Sequence, residues 1–174
     1  MTIYADSSFL VSIYIYDIHS SEADRRMAMG EPVHVTPLNR AEIAHAMHQS
    51  VFRGKLTLFE AQCAWQNFEQ DCSSGVWVQA ELPSQTWQTS IDLARQYGPT
   101  LGVRTLDSLH VACALELKAK RFWTFDDRQL RLAEAVGLDT SARSFPQTPC
   151  LPPRMCDVSR RKAAGQGLPW ALWR

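Results

Sequence analysis

Four acidic residues, Asp6, Glu42, Asp107 and Asp126, stand at strand-to-helix junctions of this sequence. Asp6 ends the strand-like run Thr2-Ile3-Tyr4-Ala5, and Asp126 follows the strand-like run Phe122-Trp123-Thr124-Phe125. Glu42 opens a helix just after Val33-His34-Val35-Thr36, and Asp107 opens a helix expected from Thr105 to Lys118. In an open parallel sheet, strand carboxyl ends and the starts of the following helices share one edge, where ligands bind. Four carboxylates on one edge repel each other unless cations lie between them. Oxygen donors select a hard divalent ion, Mg2+ or Mn2+, and such an ion brings metal-assisted chemistry.

Each acid also has a plainer role. Asp6 can turn the chain after a strand, Glu42 and Asp107 suit the first turn of a helix, and Asp126 competes with Asp127 to cap the helix that follows. The helix holding Asp107 is apolar on nearly all sides, as in a buried helix. A carboxylate there needs a cation or a dense set of hydrogen-bond donors. Four such placements at once favour the metal over four separate caps. Asp126 directly follows the apolar run, so it is preferred for the metal and Asp127 for the cap or an auxiliary role.

These residues are positioned by an alternation of strands and helices. Strands are expected at 2–5, 32–36, 76–80 and 122–125, with a weak fifth at 138–142. Between them lie helices at 7–17, 20–29, 38–52, 57–72, 83–97, 105–118 and 127–136. Ser7 or Ser8 is expected to cap the first helix, Thr57 with Glu60 forms a capping box, Gly98-Pro99 is expected to end the fifth helix, and Gly137 the last. Alternating strands and helices imply parallel βαβ units, hence an α/β protein with a three-layer α/β/α sandwich and a central parallel sheet of four or five strands.

The chain has 174 residues, 45% hydrophobic and 21% charged, which suits one soluble domain with a real core. Net charge is zero, so charge alone neither supports nor excludes a nucleic-acid partner. Residues 146–174 differ: they hold five of the nine prolines, and Arg154, Arg160, Arg161, Lys162 and Arg174 face only Asp157. Residues 1–145 read as the folded domain and 146–174 as a Pro/Arg-rich, largely disordered tail. No apolar run reaches the roughly 18 residues of a membrane span, and the start has no basic leader, so a cytoplasmic location is expected. Five cysteines without a C-x-x-C pair argue against a disulfide framework or structural zinc.

Arg104-Thr-Leu-Asp107-Ser-Leu-His110, followed by Phe122-Trp-Thr-Phe-Asp126-Asp-Arg, resembles the C-terminal half of a PIN domain. Tyr4-Ala-Asp6-Ser-Ser and Pro37-Leu-Asn-Arg-Ala-Glu42-Ile match that family's first two acidic motifs. The similarity covers about residues 1–140 and is greatest to VapC-type toxins of toxin–antitoxin pairs. The resemblance implies an endoribonuclease acting on RNA, often tRNA or rRNA. Asp6, Glu42, Asp107 and Asp126 would form the Mg2+ or Mn2+ site, with Asp6 and Asp107 as central ligands. Ser7 and Thr124 would be hydroxyl neighbours orienting carboxylates or water. A small antitoxin partner and a homodimer are implied too. Arg40, Arg104 and Arg128, near these motifs, can hold phosphates or simply pair with acids.

Two rivals come from other classes. Glu42-x-x-His45 and Asp107-x-x-His110 have the spacing of di-iron bundle ligands, but that architecture has no use for the strands. There His110 is better read as packing or as a partner behind the ligands. A non-catalytic PIN-like module that binds RNA or protein is the other, and retention of all four acids argues against it.

Overall fold

The computed structural model describes residues 2–141. The expected tail, residues 146–174, lies outside the described residues, as do positions 142–145 of the expected domain. Four short strands, β1 (Ile3–Ala5), β2 (Val33–Val35), β3 (Trp77–Gln79) and β4 (Arg121–Trp123), pair in parallel in the order β3-β2-β1-β4. The chain therefore winds outward from β1 through β2 to β3, then returns to lay β4 on the other side of β1. The reversal makes a crevice between β1 and β4 at their carboxyl ends, the place where open α/β sheets bind ligands.

The helices are α1 (Ser7–Tyr14), α2 (Ser20–Met27), α3 (Pro37–Phe52), α4 (Leu58–Ser73), α5 (Thr86–Leu101), α6 (Thr105–Glu116) and α7 (Asp127–Ala135). Side chains alternate across β1 and serve both faces of the sheet. Ile3 and Ala5 join a core with Phe9, Ile43, Met47 and Phe68 from α1, α3 and α4. Tyr4 joins the opposite core with Val111, Cys113 and Leu132 from α6 and α7. Two apolar cores flanking one sheet give the α/β/α sandwich.

Several details differ from the expectations. Asp6, not Ser7 or Ser8, caps α1 by accepting the Phe9 N–H at 3.0 Å. That helix ends at Tyr14 rather than near Asp17, because Ile15 is extended. Helix α5 starts at Thr86 and runs through Gly98 and Pro99 to a left-handed Gly102. Pro99 removes one helical N–H, but it sits on the exposed side of the last turn, where water can serve the freed carbonyl. Among the described residues the fifth strand reduces to one parallel bridge between Arg121 and Asp139, which leaves four strands in the sheet. The Thr57–Glu60 capping box and the positive φ of Gly137 just after α7 follow the sequence.

A buried polar chain ties α1 to α4 and β3. The Trp77 indole N–H donates to the Tyr14 hydroxyl at 2.6 Å, which donates to Asp71 Oδ2 at 2.9 Å. Tyr14→Phe strands the indole donor in the core, so stability should fall by about 1–3 kcal/mol. Urea unfolding should show a lower midpoint at unchanged slope.

Candidate active site

The site is built from the residues that follow β1 and β4, from the first turn of α6, and from the second turn of α3, where Glu42 stands because the helix already starts at Pro37. Asp6 is the residue after β1, and its N–H donates to the Trp123 carbonyl of β4 at 2.9 Å. This bond extends the β1–β4 pairing by one step and fixes the loop after β1 beside the loop after β4. The Asp6 carboxylate is buried at 1% exposure. Its Oδ1 accepts the Phe9 N–H at 3.0 Å and the Ser8 hydroxyl at 2.7 Å. Burial pushes the Asp6 carboxyl above its ordinary range. The charge of His110 and the hydrogen bonds from Phe9, Ser8 and Thr124 pull it back only in part.

Asp107 is the third residue of α6, and its Oδ2 accepts the Arg104 N–H at 2.7 Å. The bond satisfies a donor at the helix start and pins the carboxylate to one rotamer. Asp126 is the N-cap of α7 and accepts the Arg128 N–H at 2.8 Å and the Gln129 N–H at 3.2 Å, both on Oδ1. The cap therefore falls on Asp126, not on Asp127, which is exposed in the first turn. The Thr124 hydroxyl accepts the Asp126 N–H at 2.9 Å and so shapes the turn that presents Asp126.

Glu42 crosses the edge of the sheet to meet the other helical layer. Its Oε2 accepts the Ser7 hydroxyl at 2.6 Å and pairs with His110 Nε2 of α6. A carboxylate only accepts, so Nε2 carries the proton of that pair. Nδ1 of the same ring lies 2.9 Å from the Tyr4 hydroxyl, which donates to Asn39 Oδ1 at 3.2 Å. Asn39 in turn donates to the Ala5 carbonyl at 3.0 Å. Burial opposes charge on Glu42, but the His110 hydrogen bond and charge, with the Ser7 hydrogen bond, outweigh it and lower its pKa.

All four acids line one cavity of about 410 Å³, together with Ser7, Ser8, Arg104, His110 and Gln129. One oxygen each of Glu42, Asp107 and Asp126 has no protein partner among the described residues. The donor set is hard oxygen, suited in kind to Mg2+ or Mn2+. As the side chains stand, no group of three His, Cys, Asp or Glu is placed to hold an ion among the described residues. Glu42 is held by His110 and Ser7 instead.

The three arginines part company. Arg104 is exposed and lines the cavity. Arg40 pairs with Glu69 and lies over the rings of Trp65 and Phe68, away from the acids. Arg128 gives its backbone N–H to Asp126, but its side chain is not among those lining the cavity. Several residues of the site were missing from the sequence reading. From the sequence His110 is expected only to pack or to back the ligands and Ser8 only to cap α1, and nothing in it assigns Tyr4, Asn39 or Gln129 to the site. Gln129 is buried, lines the cavity and has an Oε1 with no hydrogen-bond partner among the described residues. Asn39 three residues after Thr36 is the one visible signal among them, since that spacing marks a reciprocal cap.

A comparison with known families places the chain. The PIN domain family model matches residues 3–135, a span that contains all four acids. The chain belongs to the PIN domain family. A comparison with curated proteins finds no match. PIN domains are generally nucleases and usually use divalent metals. In this PIN domain no helix among the described residues is long and apolar enough to cross a membrane.

A charge buried at Asp6 costs this PIN domain stability. The folded state binds the Asp6 proton more tightly than the unfolded state. Stability therefore falls as pH rises from the ordinary carboxyl value through the raised one, and the cost persists above it. Asp6→Asn keeps the cap and removes the charge. With chelator present at neutral pH, calorimetry should show a Tm a few degrees above wild type, with the gain shrinking in acid.

Proposed function

We propose that this PIN-domain protein is a Mg2+- or Mn2+-dependent endoribonuclease and the toxin of a toxin–antitoxin pair. One observation carries the reading: Asp6, Glu42, Asp107 and Asp126 come from four separate segments and line a single cavity at the carboxyl edge of the sheet. Capping alone would explain Asp6, Asp107 and Asp126 but not Glu42, and it gives no reason for all four to meet.

Asp6 and Asp107 would be the central ligands, with Glu42 and Asp126 beside them. With Mg2+ or Mn2+ bound, these acids would hold an activated water and an ion that offsets the charge on the phosphate. Asp6 and Asp107 each spend one oxygen on a backbone N–H, so both are oriented before any ligand arrives. Ser7 and His110 orient Glu42, and Thr124 orients Asp126. Asp127 is left an auxiliary place on the first turn of α7. Arg104 at the rim is the arginine positioned for a phosphate, whereas Arg40 is spent on Glu69. Water as nucleophile leaves a 5′-phosphate and a 3′-hydroxyl. The toxin role rests on the VapC-type resemblance of the four motifs. It brings with it a small antitoxin that covers this cavity, a homodimer, a cytoplasmic location, and tRNA or rRNA as the target class.

Purified full-length protein should cleave RNA with Mn2+ or Mg2+ and stop with EDTA. Asp6→Asn, Glu42→Gln and Asp107→Asn should each cut the cleavage rate by at least about 100-fold while RNA binding persists, and Asp126→Asn by about tenfold. End mapping of cellular RNA after induction should place 5′-phosphates at new ends that Asp6→Asn abolishes. Binding without any cleavage, unchanged by these substitutions, would make the protein a non-catalytic PIN-like module instead.

A further inference from the structure

A second, larger groove of about 790 Å³ opens beside the acidic cavity and shares Ser7, Ser8, Glu42, Leu106 and Asp126 with it. Its volume lies within the ~300–1,000 Å³ range of ligand pockets. Among the residues that line it there is no Lys or Arg. It offers instead a flat ring at the end of an aromatic column.

The column begins in the core. Trp123 and Phe9 are fully buried with ring centroids 5.0 Å apart. Phe9 stacks on Phe125 at 5.5 Å, and Phe125 stacks on His19 at 4.4 Å with only 10° between planes. His19 lines the groove and is half-buried, so its ring ends the column there. The loop that carries it is braced. Asp17 accepts the His19 N–H at 2.8 Å on Oδ1 and the Ser12 hydroxyl at 2.8 Å on Oδ2. The Ser20 hydroxyl donates to the Ser12 carbonyl at 2.8 Å. With its backbone braced and one face stacked on Phe125, the ring loses little entropy when another ring stacks on it. The facing wall is apolar, with Leu38 and Ala41 from α3 and the 46%-exposed Leu106 from α6, and His45 adds a polar edge.

We propose that this groove is a nucleobase subsite in which His19 is the stacking platform for the base next to the scissile phosphate. The proposal rests on the ribonuclease reading and extends it to a single-stranded RNA substrate whose base is unpaired and turned into the groove. The base stacks on His19 between it and the apolar wall, while its own phosphate stays at the acidic cavity and Arg104. Sequence-tolerant stacking on a protein ring is the way single-stranded nucleic acid is held without base-edge readout.

The test uses full-length protein with EDTA and fluorescein-labelled 12-mers of oligoadenylate and oligouridylate, read by anisotropy. His19→Ala should weaken binding about tenfold, more for adenylate than for uridylate because of its larger ring. His19→Phe should restore affinity to within about twofold. The His19→Ala loss should be the same at low and high salt, whereas Arg104→Ala should reduce the salt slope. Unchanged RNA affinity in His19→Ala overturns the subsite and leaves the groove to an apolar peptide. A loss that His19→Phe does not rescue and that vanishes at high salt also overturns it, since His19 would then be a phosphate contact. Failure of the nuclease reading shows separately, as wild-type protein that cleaves no RNA with Mn2+.

Discussion

The hydrogen bond from the Asp6 N–H to the Trp123 carbonyl holds together the place where the winding of the sheet reverses. Strands β1 and β4 are far apart in sequence and adjacent in space only because β4 returns across β1. Once they are paired, the residues after each strand emerge side by side. Asp6 and Asp126 then share an edge, and each is used at once to cap the helix that leaves it. The aromatic column from Trp123 through Phe9 to Phe125 packs directly beneath this junction, so core packing and site geometry depend on the same few residues.

The second organising problem is charge. Like charges in a low-dielectric edge interact far more strongly than in water. The protein treats its acids unequally. Asp6 is buried and its carboxyl is raised, whereas Glu42 is lowered by His110 and Ser7. His110 also joins the layers. It belongs to α6 on one side of the sheet, Glu42 belongs to α3 on the other, and their pairing closes the two helical layers over the carboxyl edge. The Tyr4 hydroxyl and Asn39 continue that chain back to the β1 backbone. The acidic cavity is thus braced from behind by a polar network.

Much of this was legible from the chain. The alternation of short apolar runs with helical segments implied a parallel sheet, and the four acids after or near strand ends implied a shared edge. Thr57-x-x-Glu60 marked the start of α4, and Gly137 the stop of α7. The misses have local physical causes. Gly98-Pro99 looked like a terminator, yet a proline on the exposed side of a last helical turn costs little. The expected fifth strand begins Leu138-Asp139-Thr140-Ser141, a mostly polar run, and among the described residues it yields one bridge at Asp139. Asp126 rather than Asp127 became the cap because Thr124 turns the chain one residue earlier.

The sequence by itself determined the kinds of group available: four carboxylates, two hydroxyls and a set of arginines at strand-to-helix junctions. Junctions are local, and residue type with spacing suffices to find them. Tertiary structure alone decided which groups meet. The partnership of Glu42 with His110 spans 68 positions, and that of Tyr4 with His110 spans 106. No periodicity encodes such contacts, because they follow from the strand order and the packing of two layers across one edge. The same packing sent Arg40 to Glu69 and left Arg104 at the cavity. It also set the His19 ring at the end of a column that starts in the core.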